Sequence, residues 1–179
     1  MSLIYSSLSS FSFSLIPCFV KTPLKIRFSL YLLSLSSINY HYNEDLNNIN
    51  NTIKKKRILI NELLDGLGII INCNLINFYN LCNIKQSLIQ IISLSSYSFF
   101  KFKYNKEIIK KIIYLSTALR SIYFYPKSCI PLGICLLGYF DYLKRKKWNL
   151  ISRIIWHGGN SIYIGYIIHK KINNKLRIH

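Results

Sequence analysis

Apolar residues in this chain recur in runs of nearly membrane-crossing length, and the polar and basic residues gather between them. The runs cover residues 2–20, 27–42, 57–82, 86–100, 108–125, 128–143 and 149–169. A helix needs about 20 residues to cross a bilayer. The pattern therefore predicts an all-α fold, a polytopic transmembrane bundle of about six or seven helices forming a single membrane-embedded domain over residues 1–179. Punctuation supports the division. Lys21-Thr-Pro-Leu-Lys25 makes a turn between the first two runs, and Tyr125-Pro126-Lys127 makes another before the sixth. The stretch Asn43 to Lys56, rich in Asn and Lys with Glu44 and Asp45, is predicted as an exposed loop. The fifth run is interrupted by Arg120, so a second placement has it lying along the interface with its basic face toward lipid headgroups. The first run lacks a basic leader and a small-x-small cleavage site, and it is expected to be a retained membrane helix.

Charge sharpens this picture. The chain carries 24 Lys and Arg against 6 acids, a formal net charge of +18, which would ordinarily point to nucleic acid. Here the bases sit in short knots between apolar runs, at 21–27, 54–57, 101–111, 144–147 and 170–177. The expected partner is thus the lipid bilayer and the expected location a membrane, with nucleic acid the less favoured partner. A competing reading makes the chain a basic subunit of an organellar ribonucleoprotein or membrane complex, its knots gripping phosphate or neighbouring subunits. Positive charge falls in nearly every loop, with the larger share after the second, fourth and sixth runs, so charge alone does not orient the chain. Cys18, Cys73, Cys82, Cys129 and Cys135 form no C-x-x-C and read as small buried hydrophobes. No phosphate-binding loop, nucleophile elbow or EF-hand pattern occurs, which removes the familiar soluble enzyme classes.

Polar groups inside apolar runs stand out, because burying them without partners costs several kcal/mol. Ser37 and His41 lie four apart near the end of the second run and share a helix face. Glu62 and Asp65 lie three apart in the third run, with Glu62 nearer to water. Trp156-His157-Gly158-Gly159-Asn160 lies in the last run, where the glycines permit a neighbouring helix to approach closely. Each has a plainer alternative. His41 beside Tyr40 and Tyr42 fits an aromatic belt at headgroup level, Asp65 fits a packing carboxylate, and His157 fits a hydrogen-bonded structural histidine. Arg120 and Arg153 are available to neutralise Asp65 or Asp141.

The order of these residues, a Ser-x-x-x-His ending the second helix, an Asp in the third and a Trp-His in the last, resembles the superfamily of alkaline ceramidases, adiponectin-type receptors and their relatives. That resemblance implies a seven-helix bundle in which three histidines hold zinc and the metal-bound water attacks a lipid amide. It assigns Ser37 and Asp65 to the catalytic positions, His41 and His157 to the metal, and a lipid to the substrate. One position departs from the pattern: the family has a histidine four residues before that of Trp-His, and here Arg153 stands there. Two histidines are fewer than the three protein ligands that catalytic zinc ordinarily takes. The expectation is therefore a buried polar cluster of Ser37, His41, Asp65, His157, Asn160 and Arg153, with an Arg153–Asp65 ion pair, or no strongly held metal, favoured over bound zinc. A degenerate, ceramidase-like protein of unassigned activity stands as the first reading and a zinc-dependent membrane hydrolase as its enzymatic alternative.

Overall fold

The computed structural model describes residues 8–50, 55–79, 81–145 and 150–176. Among them are seven α-helices and no strand: α1 (Ser12–Phe19), α2 (Leu24–Asn50), α3 (Lys55–Asn77), α4 (Asn83–Tyr104), α5 (Ile108–Phe124), α6 (Cys129–Arg145) and α7 (Leu150–Leu176). Short 3-10 turns precede α1 at Ser9–Phe11 and α6 at Pro126–Ser128. Local chemistry sets the breaks. Pro17 removes an amide donor inside α1, and the chain turns extended at Val20. Asn105 ends α4 in the left-handed conformation, with a φ of 49°, which asparagine tolerates better than most residues. Tyr125, which precedes a proline, is forced out of the helical region and ends α5.

The predicted loop from Asn43 is a correction. Helix α2 continues through it to Asn50, and α3 begins at Lys55. Nothing between 43 and 50 is a Gly or Pro, and the polar side chains there make helical pairs. Asn43 Nδ2 donates to Asn39 O at 2.7 Å, Tyr40 Oη donates to Glu44 Oε1 at 3.5 Å, and His41 Nδ1 lies 3.2 Å from Glu44 Oε2. Residues 51–54 lie outside the described residues, as do residues 2–7 of the predicted first helix.

Side-chain bonds define two ends. Lys25 Nζ donates to Asn83 Oδ1 at 2.7 Å, and the Lys171 amine donates to the Ile76 carbonyl. These bonds gather the starts of α2 and α4 with the ends of α3 and α7. At the other end Arg153 meets Glu44, and Lys101 meets Glu62 and Glu107, gathering the ends of α2 and α4 with the starts of α3, α5 and α7. Phe13, Ile16, Leu30, Leu33, Ile76, Ile167 and Ile168 join α1, α2, α3 and α7 in the main apolar cluster. Helices α6 and α7 touch backbone to backbone. A methyl group on Gly138 would fall 2.4 Å from Trp156 N, and one on Gly159 would fall 2.7 Å from Cys135 N.

Polar side chains outnumber apolar ones among the buried residues, while large apolar side chains are exposed on every helix. Among the described residues one helix, over Leu59–Asn77 in α3, is by itself long and apolar enough to cross a membrane.

Candidate functional site

Three elements carry the site. Helix α2 brings Ser37 and His41 one turn apart, α3 brings Asp65, and α7 brings Arg153 and His157 one turn apart. All five are buried. The His41 and His157 rings lie 4.9 Å apart between centroids, and Trp156 packs edge-on against His41 at 5.8 Å. The Ser37 hydroxyl and the His41 ring face the Asp65 carboxylate, whose Oδ1 has no hydrogen-bond partner among the described residues. The structure thus brings Ser37, His41, Asp65 and His157 together, although 120 residues of chain separate Ser37 from His157. His41, at 2% exposed, is packed inside the bundle.

The serine-rich turn before α1 completes the cluster. Ser9 Oγ lies 2.7 Å and Ser10 Oγ 3.2 Å from His157 Nδ1, so two hydroxyls converge on one ring nitrogen. Ser10 Oγ also lies 3.0 Å from Ser37 Oγ, and Ser34 Oγ donates to the Ser10 carbonyl at 3.1 Å. Further along, Ser12 Oγ lies 2.7 Å from Ser161 Oγ. The short helix is pinned into the bundle by its hydroxyls, on the histidine that the resemblance assigns to a metal. Sequence reading saw this run only as apolar and serine-rich. Its signal was the density of serine at 9, 10, 12 and 14.

The expected ion pair is a second correction. Arg153 Nη2 lies 3.1 Å from Glu44 Oε2 and donates to Tyr142 Oη at 3.1 Å, with its guanidinium over the Tyr142 ring. Tyr142 Oη in turn donates to Glu44 Oε2 at 3.2 Å. The partner is Glu44 because α2 is helical where a loop was expected, which carries that carboxylate beyond His41 to the guanidinium. Arg120 neutralises neither acid named for it: it is exposed and stacks over Phe78 and Phe124. Asp141 accepts from Ser152 instead. Glu62, expected at the water, pairs at 2.7 Å with Lys101, which is 2% exposed and reaches Glu107 at 3.6 Å.

Asn160 stands apart from the histidine pair. It accepts from Tyr114 Oη at 3.3 Å and lines a neighbouring cavity of about 20 Å³ with Asn72, Cys73, Thr117 and Tyr163. That space suits a single water. Gly159 is the close-packing residue that the sequence suggested, whereas Gly158 faces open space. Cys73 and Cys135 are buried as expected, but Cys18, Cys82 and Cys129 are exposed.

Zinc is not well served by this donor set. Among the described residues no three of His, Cys, Asp and Glu converge as a metal-binding group. The Arg153 guanidinium lies one helical turn from His157, and its charge opposes a dication there. Comparison of the chain with protein-family models, curated proteins and solved structures gives no match.

Proposed function

We propose that this chain is a multi-pass integral membrane protein of ceramidase- and adiponectin-receptor-like architecture, whose polar core is held by hydrogen bonds and an ion pair instead of zinc, and which has lost the lipid amide hydrolase chemistry. What supports the membrane reading is the inverted polarity of the bundle. The interior is rich in Ser, Asn, His and charged groups, while Ile91 and Ile92 on α4, Leu115 and Leu119 on α5, Leu137 on α6 and Ile162 on α7 face outward. Water would penalise such a surface, and hydrocarbon favours it. Average hydropathy understates the remaining helices, because it counts inward polar residues equally with outward ones. Buried Gln86 and Lys101 lower the average of α4 without touching lipid. At about 1.5 Å per residue, the 27 residues of α2 and of α7 reach about 40 Å, enough to cross with their ends in the headgroups.

The loss of hydrolase chemistry rests on the ligand count and on Arg153. A cation paired to Glu44 occupies the position that the resemblance gives to a third imidazole. Among the described residues the two imidazoles, His41 and His157, are one protein ligand short of the three that catalytic zinc ordinarily takes.

The test has two arms. After alkaline carbonate extraction the intact chain should stay with the membrane pellet; release into the supernatant, or release by high salt alone, would overturn the membrane reading in favour of a basic subunit bound through phosphate. Protein purified in detergent without added metal should hold far less than one zinc per chain. Equimolar zinc, lost on His41→Ala or His157→Ala, would restore the hydrolase.

A further inference from the structure

Bonds fix the level at which charge begins at each end of the bundle. At the Lys25 end, the Lys25 amine donates to Asn83 Oδ1 at 2.7 Å, the Lys171 amine donates to the Ile76 carbonyl, and the Arg120 guanidinium stacks over Phe78 and Phe124. Phe124 lies one turn nearer that end than Arg120, so the arginine already reaches outward along its helix. At the opposite end, Arg153 is held by Glu44 at 3.1 Å, and Lys101 by Glu62 at 2.7 Å and Glu107 at 3.6 Å. Arg153 and Lys101 are buried. A free Lys or Arg stretches toward the headgroups and makes an apolar span longer than its backbone implies. Cations bonded in place at both ends do not.

The spans between these levels are short. At about 1.5 Å per residue, Lys25 to Glu44 on α2 covers about 28 Å, Glu62 to Ile76 on α3 about 21 Å, and Asn83 to Lys101 on α4 about 27 Å. By the same rise, Glu107 to Phe124 along α5 covers about 25 Å, and Arg153 to Lys171 on α7 about 27 Å. Tilt shortens the projection of each span on the bilayer normal. Every charged residue with a described side chain on these five helices lies within about one turn of one level or the other. Between the levels the outer surface is apolar, as at Leu32 and Leu35 on α2, Ile91 and Ile92 on α4 and Leu115 on α5.

Resting on the membrane reading above, we infer that the chain is fitted to a thin, sterol-poor bilayer whose hydrocarbon core is about 25 Å thick, against ~30 Å for a typical bilayer. Five helices agree on this slab, and each bounds it by charges or rings that bonds and stacking hold in place. In a sterol- and sphingolipid-rich membrane, with a core of about 32 Å, the same groups would lie inside the hydrocarbon unless the lipid beside the bundle thinned to meet them. Either adjustment costs more with each ångström of mismatch.

The test uses the full chain in vesicles of phosphatidylcholines whose monounsaturated acyl chains run from fourteen to twenty-two carbons. The thermal unfolding midpoint should be highest in the fourteen- and sixteen-carbon bilayers, fall as the chains lengthen, and fall again when cholesterol thickens a given bilayer. In vesicles mixing the shortest and longest lipids, with a spin label on one or the other, the motionally restricted shell should be enriched about twofold or more in the shorter. Both readouts use the unsubstituted chain, so no variant has to fold. A midpoint highest at eighteen carbons or more, a midpoint independent of chain length, or a shell favouring the longer lipid would overturn the match and leave the membrane reading standing. Absence of any restricted shell at every chain length sinks the membrane reading beneath it.

Discussion

Arg153 holds the position on which the chemistry of the bundle turns. Its charge is met by Glu44 from α2 and by the Tyr142 hydroxyl from α6, so three helices share one buried polar knot. Removing one partner of such a knot strands the other, and the stranded charge dominates the effect. Arg153→Met alone is expected to destabilise the detergent-purified protein by about 1–3 kcal/mol, and Glu44→Gln alone by a comparable amount. The double variant should recover much of the loss, because it leaves no unpaired charge. Thermal unfolding of all four proteins measures this, and strictly additive losses would refute the coupling. At this scale much of the cluster was legible from sequence. Ser37, His41, Asp65 and His157 announced themselves because each interrupts an apolar run, and a polar group in hydrocarbon must find company. Their partners were not legible. Ser9, Ser10 and Glu44 meet His157 and Arg153 only through contacts more than a hundred residues apart in the chain. Composition gave Glu44 to a loop, although its spacing of three from His41 already placed both on one helical face.

The helices themselves follow from run length and from the proline and asparagine stops, and most boundaries lie within a few residues of those the apolar runs suggest. The exception, the far half of α2, has a physical reason. Asparagine is a weak helix former, but residues 43–50 contain no Gly or Pro and are continuous with a helix already nucleated, so their helical pairs suffice. Helix pairing is less visible in sequence than helix position, because glycines permit close contact without dictating it. Gly138 and Gly159 lie where α6 and α7 meet backbone to backbone, whereas Gly133 and Gly158 on the same two helices face open space. Gly138→Ala should therefore force the helices apart and destabilise by about 1–3 kcal/mol. Gly158→Ala should be neutral or slightly stabilising, since alanine is the better helix former. Equal effects of the two substitutions in a thermal melt would show that this contact does not hold the helices together.

On the scale of the whole molecule, the bundle has two unlike ends. One holds all the acids with described side chains, paired in part with Lys101, Lys110 and Arg153, and the bases described at the other meet no carboxylate among the described residues. Sequence showed the basic knots but not this asymmetry, because it arises only when alternate turns are brought to the same end by the up-and-down course of the chain. The cysteines report on the same arrangement. Cys18 near the end of α1, Cys82 just before α4 and Cys129 at the start of α6 are exposed and belong to the Lys25 end, while Cys73 and Cys135 are buried within the bundle. If the helices cross a bilayer as proposed, the three exposed thiols lie on one side of it. In sealed, uniformly oriented vesicles, a membrane-impermeant maleimide added outside should label all three or none, and opening the vesicles should reverse a negative result. Cys73 and Cys135 should react only after denaturation. Labelling of Cys82 from one side and Cys129 from the other would break the two-ended architecture, because α4 and α5 would then no longer form a hairpin returning to the side from which it started.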